Sequence, residues 1–130
     1  MSIPVALDRL RAEMQRFEVS PYLLTVSDDA SPHCVAVVVS WTDDELVMAT
    51  GNRTKANAAA RPSVSLLWAP IAAGGYSLIV DATVTETRGT GQGDNAVTVR
   101  PTRAVLHRPA GSGEADPSGC GSDCVPVVPA

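Results

Sequence analysis

Apolar residues along this chain change their spacing near residue 20. Before that point Leu7, Leu10, Met14 and Phe17 recur every three or four positions with charges between them. This is the stripe of an amphipathic helix, and Ser2 and Pro4 suit its first turn. Beyond Pro21 the apolar positions gather into short runs separated by turn residues, as in strands. Residues 22–27 read as the first strand, followed by turn chemistry in Asp28, Asp29, Ala30 and Ser31. Residues 33–41 are almost continuously apolar and Val-rich, which predicts a second strand covered on both faces. Thr42, Asp43 and Asp44 turn the chain into a third strand over 45–50, completing a hairpin pattern.

Gly51 and Asn52 break that strand, and the Ala-rich stretch 54–61, stopped by Pro62, predicts a brief helix. Residues 63–68, 76–87 and 95–107 read as three more strands, with Pro101 expected at a bulge or a sheet edge. The separations are hairpin-like, whereas parallel pairing needs long crossovers. The expectation is therefore a mainly β protein: a six-stranded antiparallel barrel with an N-terminal helix and a short helix after the third strand. From Pro109 onward Pro, Gly, Ser and acidic residues dominate, so residues 1–108 are read as one domain and 109–130 as a flexible tail.

Length and charge narrow the function classes. A chain of 130 residues, 45% hydrophobic, suits a single core. Its formal net charge of -4 and five aromatic side chains argue against an oligonucleotide-binding barrel, and no nucleic-acid partner is expected. Charges from Asp8 to Glu18 interrupt any signal-like apolar stretch, and the longest apolar run, 34–39, is far short of a bilayer span. A soluble, cytoplasmic protein without a membrane partner is the expectation. Any phosphate must be held by a local cluster of donors.

One stretch supplies such a cluster. Thr50, Gly51, Asn52, Arg53, Thr54, Lys55, Ala56 and Asn57 run from a strand end into a helix start. There the free backbone N–H groups and the helix dipole favour an anion, Gly51 permits close approach, and Arg53 and Lys55 bring positive charge. Lys55 is the single lysine beside nine arginines. Each charge-assisted hydrogen bond contributes about 1.5–3 kcal/mol, so two or three with ring stacking reach micromolar anchoring. Taken alone, the same cations equally suit a solvated helix start.

The order of elements and several local strings resemble the pyridoxamine 5'-phosphate oxidase-like flavin-binding split barrels. The strings are Tyr22-Leu23-Leu24-Thr25-Val26 followed by Pro32-His33, then Ala49-Thr50-Gly51 with Arg53, Lys55 and Asn57, then Arg61-Pro62-Ser63-Val64. The resemblance spans about residues 7–108 and implies a six-stranded antiparallel split β-barrel that binds FMN, or a deazaflavin coenzyme, as a homodimer with the cofactor at the interface. It implies phosphate contacts from Arg53, Lys55, Thr50 and Asn57 around Gly51. Residues 35–38, Val35 and Val37 among them, and 48–50 would lie along the ring, and Trp68 or Tyr76 would approach from the partner. The implied activity is oxidoreduction of a small-molecule substrate by hydride transfer, with a non-catalytic flavin-sensing dimer as the alternative. The linker helix common in that family shrinks here to residues 88–94, and the C-terminal substrate region of true pyridoxamine phosphate oxidases is missing, which argues against that vitamin-oxidase reaction.

Other motifs carry less. Gly91-Gln92-Gly93-Asp94-Asn95-Ala96 spells a dinucleotide fingerprint, but a strand pattern follows where the mechanism needs a helix, so it reads as a hairpin turn. Cys120 and Cys124 have no second Cys or His pair to make a metal set. His33 and His107 sit at strand ends, where they suit a cofactor contact or simple packing. No G-x-S-x-G elbow is present, and the Asp28-Asp29 and Asp43-Asp44 pairs fall in turns.

Overall fold

The period-two runs fold into strands of one antiparallel sheet, in a computed structural model that describes residues 1–110. In chain order the elements are β1 (Ser2–Val5), a 3₁₀ turn (Leu7–Arg9), α1 (Leu10–Gln15), β2 (Tyr22–Val26), β3 (Pro32–Ala36), β4 (Val39–Thr42), β5 (Glu45–Ala49), α2 (Asn52–Ala60), β6 (Ser63–Trp68), β7 (Ser77–Arg88) and β8 (Ala96–His107). The strands are ordered β3-β2-β6-β7-β8-β5-β4, with β1 also on β8. Its two edge strands, β3 and β4, are joined by only Val37 and Val38, so the sheet curls until its edges meet at that corner. The mainly β barrel read from the sequence is the fold observed.

Three local features differ from the sequence pattern. The run 33–41 is two strands, because Leu23 and its neighbours pair with β3 whereas β4 pairs with β5. Val37 N donates to Pro21 O at this change of partner, and no Gly or Pro marks it in the sequence. Ser2 and Pro4 belong to a strand rather than to a helix start, since β5 covers β8 only from Ala96 to Val99 and leaves the edge at Ala104–His107 for β1. The helical stripe is regular only over α1, where Leu10 is fully buried and Met14 packs on the core; Phe17 packs there from just beyond the helix, while Leu7 stays exposed.

Inward residues alternate as the pleat requires: Val64, Leu66 and Trp68 on β6, Leu78, Val80 and Ala82 on β7, Val97 and Val99 on β8. Pro101, opposite Ala82, flanks a β7–β8 register shift, in the stretch of β8 that neither β5 nor β1 pairs. Residues 89–95 form the β7–β8 turn, with Gly89, Gly91 and Gly93 all at positive φ, so the fingerprint-like spelling is a turn leading into a strand. Among the described residues no helix is long and apolar enough to cross a membrane. Cys120, Cys124 and the tail from 111 onward lie outside the described residues.

Candidate functional site

Where β5 ends and α2 begins, the chain passes through Gly51 in extended geometry (φ -79°, ψ 178°) before the first helical bond, Lys55 N to Gly51 O at 3.1 Å. No side chain caps the helix, so the first N–H groups of α2 point outward without the partner that a Ser or Asp N-cap would supply. Beside them, Thr50 Oγ1 is buried and has no hydrogen-bond partner among the described residues. A Cβ added at Gly51 would meet nothing within 4 Å. Gly51 and the exposed Arg53 border open space, with the Thr50 hydroxyl buried beside them.

That corner opens on a cleft of about 480 Å³ lined by His33, Val35, Ala36 and Val37 from β3 and its extension, and by 49–54 opposite. The size lies in the range of small-molecule sites. The β3 wall is apolar apart from His33, and the opposite wall carries Thr50 and the exposed cation Arg53. His33 Nε2 and Thr54 Oγ1 share a hydrogen bond of 3.2 Å, which ties the two walls together. Asp29, in the turn before β3, is held below the usual carboxylate range first by the Ser31 hydroxyl and then by the Ser31 N–H, with the positive charge of Arg53 a smaller contribution.

The structure thus brings Val35, Val37, Thr50, Gly51 and Arg53 to one cleft, and sets Lys55, Asn57 and Trp68 apart from it. Lys55 Nζ donates to Gly89 O at 2.6 Å on the other side of α2, where a second cleft of about 460 Å³ is lined by Asn52, Lys55, Ala56, Ala59 and 90–92. Asn57 is buried and donates through Nδ2 to Thr25 Oγ1 and Ser27 Oγ, both at 3.2 Å, which docks α2 on β2. Trp68 is buried in the core and borders a groove with Arg11, Met14, Phe17 and Trp41, whose ring lies 4.6 Å beneath the Arg11 guanidinium. Tyr76 stacks under Arg108 at 4.7 Å.

His107 Nδ1 meets Ser2 Oγ at 3.1 Å on the β1–β8 pair, apart from the cleft. Arg61 donates to Val26 O at 2.7 Å and pairs with Asp28 at 2.6 Å, which occupies its charge at the far end of α2. Thr54, whose hydroxyl the sequence offered as a further anion donor, instead bonds His33, and the sequence did not single out Asn95. The side-chain amide of Asn95 donates through Nδ2 to Asn52 Oδ1, 43 residues away, and a one-dimensional pattern does not show that pairing. Among the described residues no group of three His, Cys, Asp or Glu side chains could hold a metal ion.

The donor set fits a phosphorylated planar group: an orphaned buried hydroxyl, an uncapped helix N-terminus and one arginine at the end of an apolar wall. No family model matches the chain. The uncharacterized proteins Mb0449c of Mycobacterium bovis and MT0457 of Mycobacterium tuberculosis are each 38% identical over 133 residues, covering 93% of this chain and 93% of theirs. Among solved structures, an FMN-binding protein from Syntrophomonas wolfei superposes with a TM-score of 0.61 at 12% identity, over 79% of this chain and 86% of its own. A candidate pyridoxamine 5'-phosphate oxidase from Listeria innocua gives 0.60 at 14%, over 77% and 96%. An F420 reductase gives 0.55 at 19%, over 66% and 88%. These identities speak to a shared split-barrel fold.

Proposed function

This chain belongs to the family of the two mycobacterial proteins and has the split-barrel fold of the flavin-binding proteins, and on that premise we propose that it binds FMN in the β3–α2 cleft as a homodimeric oxidoreductase. The observation that carries the reading is the unpartnered Thr50 hydroxyl beside the uncapped start of α2. A buried hydroxyl without a partner is costly, and a phosphate oxygen is the acceptor it lacks. Arg53 would supply the charge, and the first N–H groups of α2 the remaining donors. Val35, Ala36 and Val37 would lie along one face of the ring.

When bound, the ring supplies hydride transfer to a small-molecule substrate; the protein supplies position and electrostatics. Val38, 76% exposed where β3 meets β4, continues the apolar wall beyond the cleft. A second copy of the chain would cover it and complete the pocket from the other side. A deazaflavin is the alternative, since F420 reductase shares the fold. The cleft favours FMN: Arg53 is the only Arg or Lys that lines it among the described residues, which suits one phosphate better than a longer anionic tail.

The test is an FMN titration followed by flavin fluorescence and the visible spectrum, on the purified chain and on Arg53→Ala. Loss of one charge-assisted contact of about 1.5–3 kcal/mol predicts a roughly ten- to hundredfold weaker Kd for the variant. A wild-type chain that takes up neither FMN nor a deazaflavin, or a variant that binds FMN as tightly as wild type, overturns the proposal.

A further inference from the structure

We infer that Asn95 is a positioning residue for this anion cradle: it acts through Thr50 and Asn52, holding the start of α2 in place against the β7–β8 turn. The inference rests on the cleft being a phosphate site. Asn95 does not line the cleft, yet it is 5% exposed and has contacts on three elements. Its backbone O accepts from Thr50 N at 3.1 Å, which fixes the end of β5. Its Nδ2 donates to Asn52 Oδ1 at 2.6 Å, which fixes the first residue of α2. Its Oδ1 accepts from Gly91 N at 3.0 Å, with Lys55 Nζ at 3.5 Å.

The turn is built around this side chain. A Cβ at Gly89, which has φ +116°, would lie 2.6 Å from Asn95 Cα and from its Oδ1, and one at Gly91 would lie 3.3 Å from Asn52 Oδ1. Glycine at these positions lets the turn close on Asn95. Lys55 adds a second tie from α2 to the same turn through Gly89 O. Only an amide side chain donates towards Asn52 and accepts from Gly91 at once, so aspartate or leucine would lose one or both. A first turn held before the ligand arrives spares the ligand the cost of ordering it.

The test compares FMN with riboflavin, which carries the same ring without the phosphate. In Asn95→Ala the affinity for FMN should fall about tenfold or more while that for riboflavin stays within about twofold, since only the cradle moves. Asn52→Ala, at an exposed position, should give the same selective loss. The double variant should be no worse than the more affected single variant, because both changes break one tie. In the ligand-free protein, amide exchange at Asn52, Arg53 and Thr54 should quicken about tenfold in both variants, with β6 and β7 unchanged. Equal losses for FMN and riboflavin, or additive losses in the double variant, overturn the inference. If wild type binds neither flavin, the functional reading fails separately, and amide exchange alone decides the positioning role: unchanged exchange refutes it.

Discussion

Replacing Thr50 by Val separates the stability of the free protein from its grip on a phosphate, and the two should move in opposite directions. Valine has the shape of threonine without the hydroxyl, and Thr50 Oγ1 is buried without a partner. An unsatisfied buried hydroxyl costs about 1–3 kcal/mol, so its removal should stabilise the ligand-free chain by an amount of that order. For a domain of this size about 1 kcal/mol shifts Tm by roughly 4 °C, which a thermal melt by circular dichroism resolves. In the complex the same hydroxyl donates to a charged oxygen, a bond of about 1.5–3 kcal/mol, so FMN should bind roughly ten- to hundredfold more weakly. A lower Tm in the free variant would mean that the hydroxyl is already satisfied there. A higher Tm with unchanged FMN affinity would mean that it does not face the phosphate.

Gly51→Ala should leave the free fold intact, with Tm unchanged or slightly raised, because its backbone is one that any residue adopts and the added methyl meets no protein atom. The methyl would stand in the cleft, and FMN affinity should drop at least about tenfold in a fluorescence titration. Val38→Asp should turn the proposed dimer into a monomer in sedimentation velocity, with FMN retention lost in parallel and far-ultraviolet circular dichroism unchanged, because the side chain is 76% exposed in the single chain. The Asp94 carboxylate accepts from the Thr90 N–H and hydroxyl, and the Thr90 backbone bond is the main cause that holds it below its ordinary value of 3.8. A depressed folded value means that the turn's stabilisation is fully present above pH ~3.8 and is lost as pH falls through the lower folded value. Asp94→Asn should remove that acid dependence, read as amide exchange at Thr90 between about pH 2 and 5.

The candidate site was legible in proportion to how local its chemistry is. Gly51, Arg53 and the start of α2 lie in one short stretch, and the strand-to-helix change around them is written in the spacing of apolar residues. Val35 and Val37 were placed along a ring by the family resemblance, and both line the cleft. Lys55 was not, in its direction: residues 53 and 55 project from different sides of a helix, and the carbonyl of Gly89, 34 residues away, holds the Lys55 ammonium. Asn57 reads as a polar helix residue until Thr25 and Ser27 are seen against it.

By itself the sequence determined the class of the fold, because alternation of apolar residues is a local property and a sheet face must be buried wherever it occurs. It also marked the β5–α2 junction as a candidate anion site, since N–H groups at a helix start are left free by geometry alone. The tertiary structure decided the rest. It split one apolar run into β3 and β4 at Val37, drew β1 onto the open edge of β8, and turned Asn95 and Lys55 to brace α2 rather than line the cleft. Each of these depends on which distant backbone offers an unpaired donor or acceptor, and a chain reveals that only once it has closed on itself.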